Sequence, residues 1–83
     1  MAASVRVLFF AHYADLLGRD EAMIAVATPA TVSDVVRHVR TGLDGARWIP
    51  ERPLTALNAT HARLDDPVHD GDVVAFLPPL AGG

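Results

Sequence analysis

The chain has 83 residues, of which 51% are hydrophobic, and it contains no cysteine. A chain this short makes one domain and buries only about 60% of its unfolded surface; without cysteine it has no disulfide framework, thiolate metal site or nucleophilic thiol of its own. Seven basic residues, all arginine, stand against ten acids for a formal charge of −3, with no basic block to neutralise phosphates, so nucleic acid is not an expected partner.

The opening Met-Ala-Ala-Ser runs straight into a strand pattern without a basic leader, and no apolar run approaches the ~18 residues of a membrane span. No membrane association is expected, and a cytoplasmic location is. Ser4 to Ala11, rich in β-branched and aromatic residues, reads as the first strand. Val5, Val7 and Phe9 share one face; Leu8 and Phe10 share the other with Arg6, so the second half is apolar on both sides, as in a central strand. His12 to Leu17 offers a short helix closed by Gly18, which tolerates a left-handed helix end. Glu21 to Ala27 is the second strand, with Ile24 and Val26 on one face.

Thr31 is a good N-cap with Asp34 as its capping-box partner. Val32, Val35, Val36 and Val39 then recur at i, i+3, i+4 and i+7, predicting an amphipathic helix that ends near Gly42. Four valines are poor helix formers, so burial of the stripe against a sheet must hold this helix. Leu43 to Pro53 reads as an irregular connection with Trp48 as a lid on the core edge. Leu54 to Ala59 is a third strand, His61 to Leu64 a short fourth, Pro67 to Gly71 a turn built on Asp70-Gly71, and Val73 to Leu77 the last strand, apolar on both parities. The order fits an α+β, β-grasp (ubiquitin-like) fold: a mixed sheet of about five strands over one main helix, with a short extra helix after the first strand. The first and last strands should lie parallel at its centre. Their inner face would carry Val7, Phe9, Val74 and Phe76, and their outer face Leu8, Phe10, Ala75 and Leu77, an apolar surface suited to a partner.

Residues 1–77 form the expected domain and 78–83 a flexible tail, Pro78-Pro79-Leu80-Ala81-Gly82-Gly83. Two prolines favour an extended conformation and stop the sheet, while two glycines let the backbone pass through a narrow channel to another protein's catalytic groups. A terminal carboxylate, with a pKa of about 3.5, is a poor electrophile until it is activated, typically as an acyl-adenylate. Replacing one of its oxygens by sulfur gives a thiocarboxylate, a better nucleophile. An arginine-only chain offers no side-chain amine to an activated C-terminus. Other constellations carry less. His61, Asp65, Asp66, His69, Asp70 and Asp72 match no standard ligand spacing and read as solvated turns, so no metal is expected. Ser33 and Asp34 begin a helix and His38 lies on its polar side, which leaves no hydrolytic set with Ser4.

These features resemble the ubiquitin-like sulfur carriers, the MoaD/ThiS family, and within it the small subunits of molybdopterin synthase. The resemblance is carried by Val5-Arg6-Val7-Leu8-Phe9-Phe10-Ala11, by Ala14-Asp15-Leu16-Leu17-Gly18, by Arg47-Trp48 and Leu57-Asn58, and most specifically by the ending from Asp70 to Gly83. It implies that Gly83 is the working group: an adenylating, ubiquitin-activating-like enzyme uses ATP on its carboxyl and a sulfur donor makes the thiocarboxylate. The tail of Pro78, Pro79, Leu80, Ala81 and Gly82 then enters the large, catalytic subunit, where sulfur passes to precursor Z, the cyclic pyranopterin monophosphate. It further implies a non-catalytic subunit without a permanently bound cofactor, a heterotetramer with the large subunit, and an interface of Leu8, Phe10, His61, Ala75 and Leu77. Ala14 stands where the family commonly has arginine and His61 where it often has a larger apolar residue. A carrier for thiamin or tRNA thiolation, a protein modifier using the same tail, and a plain interaction module are the other classes this pattern admits.

Overall fold

The computed structural model describes residues 1–78. Its elements are β1 (Ala2–Phe9), α1 (His12–Leu17), β2 (Glu21–Ala27), β3 (Ala30–Thr31), α2 (Val32–Gly42), a 3-10 turn (Ala46–Trp48), β4 (Leu54–Leu57), β5 (Thr60–Ala62), β6 (Pro67–Val68) and β7 (Val73–Leu77). Five strands form one sheet in the order β2-β1-β7-β4-β5, and β3 and β6 form a two-stranded ladder beside it. Only the β1–β7 pair of the main sheet is parallel; its neighbours are antiparallel. This is the β-grasp architecture the sequence predicts.

α2 covers one face of the sheet. Val32, Val35, Val36 and Val39 are all buried, against Val5, Val7, Phe9, Val74 and Phe76 from the central strands. Its start is fixed by a full capping box: the Asp34 amide donates to Thr31 Oγ1 at 3.4 Å and the Thr31 amide donates to Asp34 Oδ2 at 2.8 Å. Reciprocal capping satisfies two amides that the helix cannot bond itself, offsetting the low helix propensity of the valines.

Several strand bounds depart from the sequence reading. β1 begins at Ala2, because Ala2 and Ala3 pair with Ala27 and Val26, and ends at Phe9, because Ala11 turns to φ 53°. The third strand stops at Leu57, because Asn58 and Ala59 both take positive φ (51° and 71°) in a tight hairpin turn, and the fourth is Thr60–Ala62, since the Arg63 amide leaves the ladder to bond Asp66 Oδ2 at 2.9 Å. The segment expected as turn from Pro67 contains β6, whose Val68 is buried.

Trp48 is not a lid: it is 68% exposed, while Ile49 next to it is buried. Side chains three apart eclipse in a 3-10 turn, so Ala46 and Ile49 point together into the core and Trp48 points out. There it stacks under the Arg47 guanidinium at 5.2 Å, and Arg40 Nε fastens the loop by donating to the Ile49 carbonyl at 2.8 Å.

The Asn58-Ala59 turn asks an alanine to hold a left-handed conformation that costs an L-residue roughly 1 kcal/mol. Ala59→Gly is expected to stabilise the domain by about 0.5 kcal/mol, less than the strain it relieves, because glycine's extra freedom when unfolded offsets part of the gain. Urea unfolding with an unchanged slope and a higher midpoint is the expected observation; a lower midpoint contradicts it.

Candidate docking groove and tail base

Strand alternation and register build the outer face of the sheet. Leu8 stands opposite Ala75 across the parallel pair, Ala75 opposite Ala56, and Ala56 opposite His61, so one row of side chains crosses four strands. The middle of that row is alanine and its surroundings are larger. The result is a groove of about 480 Å³ whose floor is Ala56 and Ala75 and whose walls include Leu8, Phe10, Val73 and Leu77. Phe10 is 46% exposed, an unusual state for a large aromatic ring beside other apolar groups. Its amide donates to the Phe76 carbonyl at 3.4 Å, holding it against the end of β7.

All five residues expected at an interface, Leu8, Phe10, His61, Ala75 and Leu77, line this one groove. Their roles differ: Ala75 is nearly buried as floor, Leu8 and Leu77 are half-buried walls, and Phe10 and His61 stand exposed. The sequence reading missed Ala56, Asn58, Ala59 and Val73. The signal for Ala56 is its place opposite Ala75, which only the register reveals. β7 ends at Leu77 beside Phe10, so Pro78 follows at the end of the groove, where it is half-buried. Pro79, Leu80, Ala81, Gly82 and Gly83 lie outside the described residues.

The family model described as the ThiS family matches residues 7–83. The chain belongs to the ThiS family. It is 39% identical to the molybdopterin synthase sulfur carrier subunit of Escherichia coli (strain K12), covering 95% of this chain and 99% of that protein. The subunit of the same description from Haemophilus influenzae is 34% identical over the same shares. Among solved structures, a chain of the complex of subunits 1 and 2 of molybdopterin-converting factor from Helicobacter pylori 26695 superposes with a TM-score of 0.67 at 26% identity, covering 96% of this chain and 99% of that one. SAMP1 from Haloferax volcanii shares the fold at a TM-score of 0.85 and 22% identity, covering 98% and 100%.

Of the acidic residues in the second half of this ThiS-family chain, Asp66, Asp70 and Asp72 are used in turns and connections. Asp70 Oδ1 accepts from the Ser4 amide at 2.7 Å, and Asp72 Oδ2 accepts from the His69 amide at 2.7 Å. Among the described residues no three acidic or histidine side chains gather where a metal could be held. Ser4 lies on β1, whereas Ser33 and Asp34 open α2 and His38 is exposed on it, so these four form no shared site. Among the described residues no helix is long and apolar enough to cross a membrane.

Asn58 links the turn chemistry to the groove. Its Nδ2 donates to Asp72 Oδ1 at 3.1 Å and its Oδ1 accepts from the Val73 amide at 2.9 Å, bracing the rim where β7 begins. The Asn58 side chain, then the His69 amide, hold the Asp72 carboxyl below its ordinary value. A carboxyl lowered on folding stabilises the domain fully above its unfolded value of about 3.9, and that stability is lost as pH falls through the folded value. Asn58→Ala is therefore expected to lower stability at pH 7 and to lessen the loss between pH 5 and pH 2, read by urea unfolding across that range. An unaltered acid profile contradicts the link.

Proposed function

We propose that this chain is the sulfur-carrier subunit of a molybdopterin synthase, with the carboxyl of Gly83 as the carrying group. The observation that carries the reading is the 39% identity to the Escherichia coli carrier subunit over 95% of this chain and 99% of that protein. The groove beside the tail base supports it, since a carrier needs a place to be gripped as well as a group to load.

The chemistry follows from the carboxylate. An adenylating partner joins the Gly83 carboxylate to AMP from ATP and releases pyrophosphate. Sulfide-level sulfur from a donor then displaces AMP at the acyl carbon, leaving a thiocarboxylate. The loaded tail, Pro78 to Gly83, enters the large subunit, where the thiocarboxylate sulfur bonds to a carbon of precursor Z as a carbon–oxygen bond there breaks, once for each of the two sulfurs of the dithiolene of molybdopterin. Breaking the acyl–sulfur bond with water returns the Gly83 carboxylate and leaves sulfur on the product. Side chains that move protons in these steps belong to the partners, and the carrier holds no cofactor of its own.

Docking uses Leu8, Phe10, His61, Ala75 and Leu77, with the large subunit covering the groove in a cytoplasmic heterotetramer. No nucleic acid or membrane takes part. The reading requires Gly83 to be the final residue of the working protein.

Deleting Gly83 is expected to abolish sulfur transfer to precursor Z in a reconstituted synthase while leaving binding to the large subunit intact. Phe10→Ala should do the reverse, weakening binding by about 10- to 100-fold, as loss of a central aromatic anchor does. Undiminished transfer by the truncated chain contradicts the proposal.

A further inference from the structure

The apolar part of the outer sheet face does not end at the groove. Leu54, the first residue of β4, stands directly opposite Leu77, the last residue of β7. Directly opposed residues share a face, so Leu54 points the same way as Leu77, while Thr55 and Phe76, the next pair, are buried on the helix side. Phe10 flanks Leu77 from the other side: its amide donates to the Phe76 carbonyl at 3.4 Å, and Phe10 and Leu77 both line the groove. Phe10, Leu77 and Leu54 therefore make one apolar row across the end of the sheet.

Both flanks of this row are open. Phe10 is 46% exposed and Leu54 43%. Leu54 is bare for a definable reason: β5 pairs with β4 only as far as Ala62 opposite Thr55, and the Arg63 amide then turns away to Asp66 Oδ2 at 2.9 Å. Among the described residues no β5 residue is paired with Leu54, and Leu54 takes no part in the core.

The position of Pro78 decides what must cover the row. It follows Leu77, so the chain leaves the sheet from the middle of the row, with an exposed apolar side chain on each side. On the proposed function the reacting carboxyl is at Gly83, five residues beyond Pro78, and five residues span at most about 18 Å. A subunit that holds Gly83 in a recessed site has to bring its surface within that distance of Pro78, less the depth of the site. Its rim then rests on the residues around Pro78, Phe10 on one side and Leu54 on the other.

We infer that Leu54 is a docking residue for the synthase large subunit, meeting an apolar rim of that subunit around the channel that takes the tail. Covering the row takes the exposed parts of Leu54 and Phe10 out of water. A polar rim would instead leave its own groups unpaired against three side chains that can neither donate nor accept. The inference rests on the proposed function for the partner's identity, and it adds a contact outside the groove.

Calorimetric titration of the full chain with the large subunit tests it. Leu54→Arg is expected to weaken binding by about tenfold or more, and Leu54→Met, which keeps the apolar contact, to stay within about threefold of wild type. Leu54→Gln, of similar size, should lose about fivefold and serves if the arginine variant does not fold, which circular dichroism checks. Met23→Arg is the control. Met23 is also exposed on the outer face, but it lies opposite Arg6 of the Arg6–Glu21 pair, on the far side of β1 from Leu77, and should stay within about threefold. Wild-type affinity in the Leu54 variants overturns the inference, and so does an equal loss in Met23→Arg. Analytical ultracentrifugation of the chain alone shows whether a second copy occupies the row: a dimer that Leu54→Arg dissociates while large-subunit affinity is kept also overturns it. Failure of the wild-type chain to bind the large subunit overturns the proposed function, and this inference with it. Wild-type binding that the Leu54 variants leave intact overturns this inference alone.

Discussion

The parallel pairing of β1 with β7 is the constraint on which both the core and the groove depend. Val7 faces Val74 and Phe9 faces Phe76 on the helix side, while Leu8 faces Ala75 on the other. Phe9 and Phe76 meet at a ring-centroid distance of 5.6 Å, and Phe76 is fully buried. Truncating such a ring costs a domain about 3–5 kcal/mol, a large share of a stability that is small in any protein this size. Because side chains alternate, a slip of one residue would send the phenylalanines outward and the groove residues inward. Burial of the core therefore fixes the register, and the register fixes the groove.

That coupling explains why the outer face can remain apolar. In a two-sided central pair, one face packs against α2 and the other is left free of the core. Alanine at positions 56 and 75 keeps the middle of that face low, and Leu8, Phe10 and Leu77 keep its margin high. The Arg6–Glu21 ion pair, 2.9 Å apart and about half exposed on both sides, gives the β2 side a polar border. Its energetic value at such exposure is small, so it marks where the apolar surface stops more than it holds the fold together.

Much of this was legible in the sequence where one physical signal dominated. The valine stripe and the Thr31–Asp34 box specified α2, Gly18 closed α1 with φ 69°, and the double-sided apolar segments identified the central strands. Short elements were not legible, because Ala30–Thr31 and Pro67–Val68 are two-residue strands with no periodicity to read. Trp48 misled through size: a large aromatic ring suggests burial, but its place in a 3-10 turn gives the core to Ile49. The groove's outline was legible from strand parity. Its floor was not, since Ala56 acquires meaning only through long-range pairing with β7. His61 emerged as an interface residue from family resemblance, and its place at the groove follows from its pairing opposite Ala56.

Recognition and chemistry are separated in this design. On the proposed function the sheet presents the groove and the reacting atom is at Gly83, in a chain with neither cysteine nor lysine to compete for sulfur or for an acyl group. The measurement that tests this assignment most directly is the intact mass of the chain after incubation with an adenylating enzyme, ATP and a sulfur donor. The account predicts the mass gain of one oxygen replaced by sulfur, located by fragmentation at Gly83. An unchanged mass, or sulfur found elsewhere in the chain, would contradict it.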